Sequence, residues 1–329
     1  MSSVEVYERI DVLDYLRGFA LLGIILVNIV HMLSLSPPAA HTLDAAYGGF
    51  LYGFVEGRFY TIFTFLFGIG FYIFLTRANQ KGKNGTAFFL RRMLALFVLG
   101  LIHVQFQRGE ALTIYAICGL IILPFYKANK VVNLVFGAAI LIVLSMFSIK
   151  VLMTVPLMLL GIAAGQYRLY EGISNKRRGL IILTVTMFIA AAIALICQFH
   201  FFTLGKGMVA DQTFMRIGIA IGPIVSAFYI GMFMLLLQVS FFQRLLSPLK
   251  SYGRMALTNY VSQTIFILTA GHVWHLFGKI TYFQSFFVCL GICAMQLILS
   301  VAWLRFFRFG PLEWIWRSIT YLELPPFRR

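Results

Sequence analysis

Charge is what this sequence has least of. Only 12% of its 329 residues are charged and 60% are hydrophobic. No hydrophilic stretch is long enough for a soluble domain, so the composition excludes an ordinary soluble globular protein. Cysteine is scarce as well. Cys118, Cys197, Cys289 and Cys293 all sit in apolar runs, without the paired spacing of a disulfide framework or a thiolate metal site, and are read as packing residues. No metal site is expected: His272 and His275 are three apart but have no carboxylate near them, and no paired helical pattern suits a haem. The start of the chain, with Glu5, Glu8, Asp11 and Asp14 against Arg9, lacks the positive region and small-residue cleavage site of a removable signal peptide. The first apolar helix is therefore expected to be retained.

What the sequence does hold is apolar runs of membrane length. They fall near residues 15 to 35, 59 to 76, 89 to 106, 111 to 126, 131 to 148, 151 to 168, 179 to 202, 215 to 240, 255 to 277 and 282 to 306. Only Ser148 and Lys150 separate the fifth from the sixth. A single helix from Val131 to Gly165 would reach about 52 Å, against roughly 30 Å of hydrocarbon, so the run is split. The expected fold is all-α: a polytopic transmembrane bundle of about ten spans, one integral membrane domain over residues 1–329.

The net charge of +16 invites a nucleic-acid reading, but the basic residues are divided among short loops, which is a topology signal. One set of loops, with both ends of the chain, carries 20 of the 27 Lys and Arg residues; the alternate set carries 6, and Arg17 lies within the first run. By the positive-inside rule both termini are cytoplasmic. The tail from 307 to 329 contains GPLEWIWRSITY, whose Gly-Pro break, Trp314, Trp316 and Arg317 suit the cytoplasmic headgroup layer.

Polar residues inside the spans need an explanation. Asp14, Arg17, Asn28 and His31 share one face of the first helix, because Arg17 and Asn28, eleven residues apart, differ by about 20° in helical angle. An Arg or Asp in a membrane helix costs roughly 2.5 to 3.5 kcal/mol, so this face is expected to look into a polar interior. A rise of about 1.5 Å per residue sets Asn28 roughly 16 Å deeper than Arg17. Arg92 and His103 repeat the spacing in the third run. Two layers result. The inner one is basic, with Arg17, Arg92 and Arg254, the last opening the polar segment GRMALTNYVSQ with Asn259; guanidinium forks there suit phosphate. The outer one holds Asn28, His103, His41 and Glu110, where a carboxylate beside an imidazole is a usual way to orient a general base. Local readings stay open beside these: Asp14 and Arg17 as an ion pair anchoring the helix end, and the Thr61, Thr64, Gly68 stripe of the second run as close helix packing.

The segments DYLRGFALLGIILVN, EGRFYTIFTFLFGIGF, RRMLALFVLGLIH followed by GEALTIYA, GRMALTNY and GPLEWIWR together resemble the YeiB-like family of bacterial membrane proteins, from about residue 10 to residue 321. That family usually has Asp where this chain has Glu110. The opening helix also resembles the wider transmembrane acyltransferase superfamily, whose signature is an Arg followed eleven residues on by His or Asn. In the His branch that residue is the presumed base, and Asn28 takes its place here. In the branch resembling lysosomal heparan-glucosaminide acetyltransferase, Asn is normal and a His in the next outer loop assists, which implies His41 or His31. The resemblance thus implies an acyltransferase of a bacterial cytoplasmic membrane, passing an acyl group from cytoplasmic acyl-coenzyme A to an acceptor at the outer side. Donor contacts would come from Arg17, Asp14, Arg92, Arg254 and Asn259, and catalysis from Asn28 with His103, His41 or Glu110. The alternative is a small-molecule or lipid transporter or flippase whose polar faces line a path. The expected partners are the bilayer and a small-molecule, glycan or lipid acceptor, not nucleic acid; self-association is left open.

Overall fold

The computed structural model describes residues 11–82, 84–171, 177–202 and 212–329. Of the basic residues used for topology, Arg9, Lys83, Lys176 and Lys206 lie outside them. In chain order the helices are α1 (Asp11–Met32), α2 (Leu43–Phe50), α3 (Arg58–Gln80), α4 (Gly85–His103), α5 (Leu112–Ile122), α6 (Lys130–Met146), α7 (Thr154–Gln166), α8 (Arg177–His200), α9 (Gln212–Leu236), α10 (Ser240–Leu245), α11 (Ser247–Arg254), α12 (Ala256–Val273), α13 (Tyr282–Phe306) and α14 (Pro311–Tyr321).

The fold is all-helical, and every apolar run of the sequence lies on one of these helices. Among the described residues six helical stretches are long and apolar enough to cross a membrane: α1, the run Leu43–Gln80 that joins α2 to α3, α4, α8, α9 and α13. α6 and α7 separate as chain length requires. Ser148 turns the chain in the left-handed region at φ 56° and donates its hydroxyl to the Arg216 carbonyl. The second run starts earlier than its charges suggest. α2 continues through a π-helical turn, Leu51–Val55, to Glu56 and a left-handed Gly57 (φ 77°), after which α3 begins at a fully buried Arg58. Arg58 is tolerated there because the Tyr52 and Glu56 carbonyls and Gln198 Oε1 accept its N–H groups.

Three of the carboxylates serve helix starts. Asp44 accepts the Phe283 amide at the start of α13, Glu110 those of Leu112 and Thr113 at the start of α5, and Glu313 those of Leu257 and Thr258 at the start of α12. Each supplies a negative charge where amide N–H groups lack intrahelical partners.

α1 stands at the centre and packs on α3, α11, α12 and α13. The crossing with α11 is close: a Cβ on Gly253 would lie 1.8 Å from the Asp14 carbonyl oxygen, and one on Gly18 2.3 Å from that of Leu249. α3 and α7 approach in the same way at Gly68 and Gly161, so the Thr61, Thr64, Gly68 stripe is a packing face. Cys118, Cys289 and Cys293 are buried as expected, but Cys197 is exposed on α8, whose apolar surface is largely uncovered by protein.

Candidate functional site

A cavity of about 1310 Å³ lies against α1, α3, α4, α5, the α11–α12 junction and α14. One end is basic. Arg17, Arg77, Lys81, Arg92, Arg254 and Arg317 line it, against the carboxylates Asp14, Glu313 and Glu323. The other end carries Asn28, Glu56, Tyr60, Arg108, Glu110, Lys150 and Tyr260. Between them the wall is aromatic and aliphatic, with Phe59, Phe63, Phe67, Ile24, Val27 and Leu96. Arg17 and Asn28, placed on one face by their spacing, therefore look into the same space from its two ends.

At the basic end Arg17 Nη1 lies 2.9 Å from Asp14 Oδ1; Asp14 is buried, and the Arg17 side chain keeps 29% of its surface accessible. Arg92 is stacked between rings, its guanidinium carbon 3.5 Å from the Trp316 centroid and 5.0 Å from that of Phe74. Trp316 Nε1 also donates to the Arg92 carbonyl at 2.8 Å. Stacking covers the faces of the guanidinium and leaves its edge to bind anions. The tail is thus part of the wall. The Glu313 carboxylate accepts both amides and the Thr258 hydroxyl, the Trp314 indole donates to the Pro325 carbonyl, and Phe307 pairs with Arg328 in one antiparallel bridge. Sequence reasoning gave this segment only an interfacial role; Glu313 and Trp316, three apart and on one helical face, were the available signal.

At the other end, Asn28 is half-buried, and its side chain makes no hydrogen bond to a described residue. Glu56 is ion-paired with Lys150, and Lys150 also stands over the Tyr60 ring. Glu110 is buried. Burial pushes its carboxyl up, but His103, Thr113 and the amides of Thr113 and Leu112 outweigh that and hold it below the usual carboxylate range. For Glu313, where burial is opposed by Thr258, its own backbone and the Leu257 amide, the balance goes the other way and the carboxyl is raised.

Among the expected site residues, Asp14, Arg17, Asn28, Arg92, Glu110 and Arg254 line the cavity. His103 is buried but off the cavity surface, with Nε2 2.9 Å from Thr264 Oγ1 and Nδ1 3.8 Å from Glu110 Oε2. His41 is exposed, in a left-handed conformation at φ 60°, and His31 is exposed too; neither lines the cavity. Asn259 belongs to a different cluster, donating to the Tyr252 carbonyl and to Ser300 and accepting from Ser300. The residues that spacing did not single out, Tyr60, Lys150 and Tyr260, reach the site through tertiary packing alone.

Two family models match the chain. The catalytic model of heparan-alpha-glucosaminide N-acetyltransferase covers residues 9–171, and a model for a protein family of unknown function (DUF418) covers 164–323. An uncharacterised 39.9 kDa protein from the amylase 3′ region of Bacillus acidopullulyticus is 53% identical over 98% of this chain and 96% of its own. The uncharacterised protein YxaH of Bacillus subtilis (strain 168) is 27% identical over 98% of this chain and 96% of its own. For the uncharacterised protein YeiB of Escherichia coli (strain K12) the figures are 27%, 97% and 98%. No solved structure matches the chain.

Proposed function

The chain belongs to the YeiB-like (DUF418) family of multi-pass membrane proteins, and from that premise we propose that it is a membrane acyltransferase that takes an acyl group from cytoplasmic acyl-coenzyme A and delivers it to an acceptor at the outer side. The match of residues 9–171 to an N-acetyltransferase catalytic model supports acyl transfer as the reaction class. The observation that carries the reading is one continuous cavity with a cluster of arginines at one end and Asn28 with Glu110 at the other.

The chemistry follows from the lining. Arg17, Arg92 and Arg254 offer forks to the phosphates of coenzyme A. The pantetheine arm, long and weakly polar, lies along the aromatic middle and brings the thioester to Asn28, whose amide N–H polarises its carbonyl oxygen. The acceptor enters at the outer end, and its proton is taken at the turn that carries His103 and Glu110. The donor binds as a substrate.

In this reading all ten apolar runs cross the membrane, both termini are cytoplasmic, and the membrane is the inner membrane of a bacterium. The basic end of the cavity then opens to the cytoplasm, as the 20-to-6 division of Lys and Arg requires. Single-cysteine labelling in intact cells checks the topology. A cysteine at Asn84, in a chain without its native cysteines, should be protected from an impermeant reagent added outside; labelling there overturns the orientation.

The function is tested with purified protein and short-chain acyl-coenzyme A. Calorimetric binding, and release of free thiol on adding an acceptor probe such as glucosamine, are the expected results. A folded wild type that binds no acyl-coenzyme A would shift the reading to a transporter.

A further inference from the structure

The hydrogen bonds around His103 fix which of its nitrogens is engaged. Thr264 Oγ1 donates its single hydrogen to Gln107 Oε1 at 2.7 Å, so toward His103 Nε2, 2.9 Å away, that hydroxyl only accepts. Nε2 therefore carries a hydrogen and is committed to Thr264, in a buried position off the cavity surface. The remaining nitrogen, Nδ1, faces Glu110 Oε2 at 3.8 Å, beyond hydrogen-bond length but within ion-pair range, so that a hydrogen on Nδ1 points at the carboxylate. The imidazole has no free face toward a substrate.

Glu110 has one. An ionised carboxylate offers about four acceptor sites. The Leu112 amide takes one on Oε2 at 2.6 Å and the Thr113 amide one on Oε1 at 2.8 Å; His103 faces Oε2, and the Thr113 hydroxyl, though near, makes no hydrogen bond, which leaves a site on Oε1. Glu110 lines the cavity and His103 does not. We infer that the base at this end is Glu110, and that His103 is a positioning residue acting on it from the side away from the cavity. The usual order, a carboxylate orienting a catalytic imidazole, is reversed.

Resting on the acyl-transfer reading, the step balances as follows. The acceptor's oxygen or nitrogen attacks the thioester carbon; the new C–O or C–N bond forms and the C–S bond breaks. The acceptor's proton passes to Glu110 Oε1 and from there to the departing thiolate, so the protein ends in its starting state. The other titratable groups around this end, among the described residues, are Arg108 on the same turn, Tyr60 on α3, Tyr115 on α5, Tyr260 on α12, whose hydroxyl accepts the Ala111 amide, and the Glu56–Lys150 pair.

The sign of the pH effect is determined by the neighbours of Glu110. The base works only when ionised, and His103 is one of the groups that hold its carboxyl low. Removing the imidazole raises the carboxyl, so activity should fail at a higher pH on the acid side.

The experiment compares Glu110→Gln, Glu110→Asp and His103→Gln in the full-length protein, measuring acetyl-coenzyme A binding, thiol release with glucosamine as acceptor probe, and the infrared carboxyl band of Glu110 against pH. Glu110→Gln should slow transfer about 100-fold or more with donor binding unchanged, and Glu110→Asp should recover part of the rate. His103→Gln should move both the acid limb and the infrared titration to higher pH, and regain most of the wild-type rate above the new limb. A His103→Gln protein that binds donor but is inactive at every pH, or a Glu110→Gln protein that stays active, overturns the inference and leaves the acyl-transfer reading standing. A wild type that binds no acetyl-coenzyme A overturns that reading and the base assignment with it, while the infrared shift still reports whether His103 acts on Glu110.

Discussion

Asn28→Ala should lower the rate of acyl transfer by about two to three orders of magnitude while leaving donor binding within a factor of two, the loss expected for one hydrogen-bond donor aimed at a developing oxyanion. Asn28 is a half-buried amide within a membrane-length helix, lines the cavity, and has no hydrogen bond to a described residue. A polar group at that depth needs a partner, and the face it presents is the one open to a substrate. Donor affinity should survive because Arg17, one of the arginines that hold phosphate, lies roughly 16 Å away along the same helix, by the rise of eleven residues. Asn28→Asp keeps the size and places a negative charge where negative charge must develop, so its loss should be at least as large. Steady-state rates with acetyl-coenzyme A and a parallel titration separate the two parameters. An alanine variant that keeps more than a third of the wild-type rate would remove Asn28 from the chemistry.

The part of this site legible in the sequence is the part that helical geometry carries within one element. Eleven residues at 100° each return to the same face, so Arg17 and Asn28 were bound to look into one space, and the cost of charge in lipid said that the space was inside the protein. The division between α6 and α7 was legible for a similar reason, since membrane thickness caps the length of a helix. What the sequence could not supply is which distant element completes each surface. Arg92 is stacked by Trp316, 224 residues on, and His103 spends its Nε2 on Thr264, 161 residues on. Spacing alone put His103 beside Asn28 as a second polar residue of the outer layer; the Thr264 and Gln107 side chains decide instead that the ring turns away and that Glu110 meets the cavity. His41 looked suitable because it follows the first helix in the right loop, yet a left-handed turn leaves it on the surface. Asn259 has the polarity expected of a ligand contact, but its amide is already used by Tyr252 and Ser300. The charges of Glu56 and Arg58 did not show that Arg58 would be fully buried, because the Gln198 partner of Arg58 and the Lys150 partner of Glu56 come from tertiary structure.

Arg17→Lys should weaken acyl-coenzyme A binding about tenfold, and Arg17→Ala about a hundredfold, with the protein still inserted and folded in both. Arg17 Nη1 is engaged by buried Asp14 at 2.9 Å, and Nη2 lies 3.3 Å from the point where a Cβ would stand on Gly70, so the second arm of the fork is spread along the cavity wall. A planar fork serves a carboxylate with one arm and a phosphate oxygen with the other; an ammonium is a point charge that must divide itself between them. One charge-assisted hydrogen bond is worth roughly 1.5 kcal/mol or more, which sets the tenfold figure for lysine. Alanine does more harm, because Asp14 then presents its charge to the incoming phosphate without the neighbouring guanidinium, and repulsion adds to the lost contact. A helix anchor with no ligand role makes the opposite forecast: lysine would keep the charge and reach the same surface with its flexible stem, and donor affinity would not change. Titrations of wild type and both variants with acetyl-coenzyme A, at low and high salt and alongside thermal melts, decide between the two. Equal affinity for wild type and Arg17→Lys, with matching melting curves, would assign Arg17 to anchoring alone.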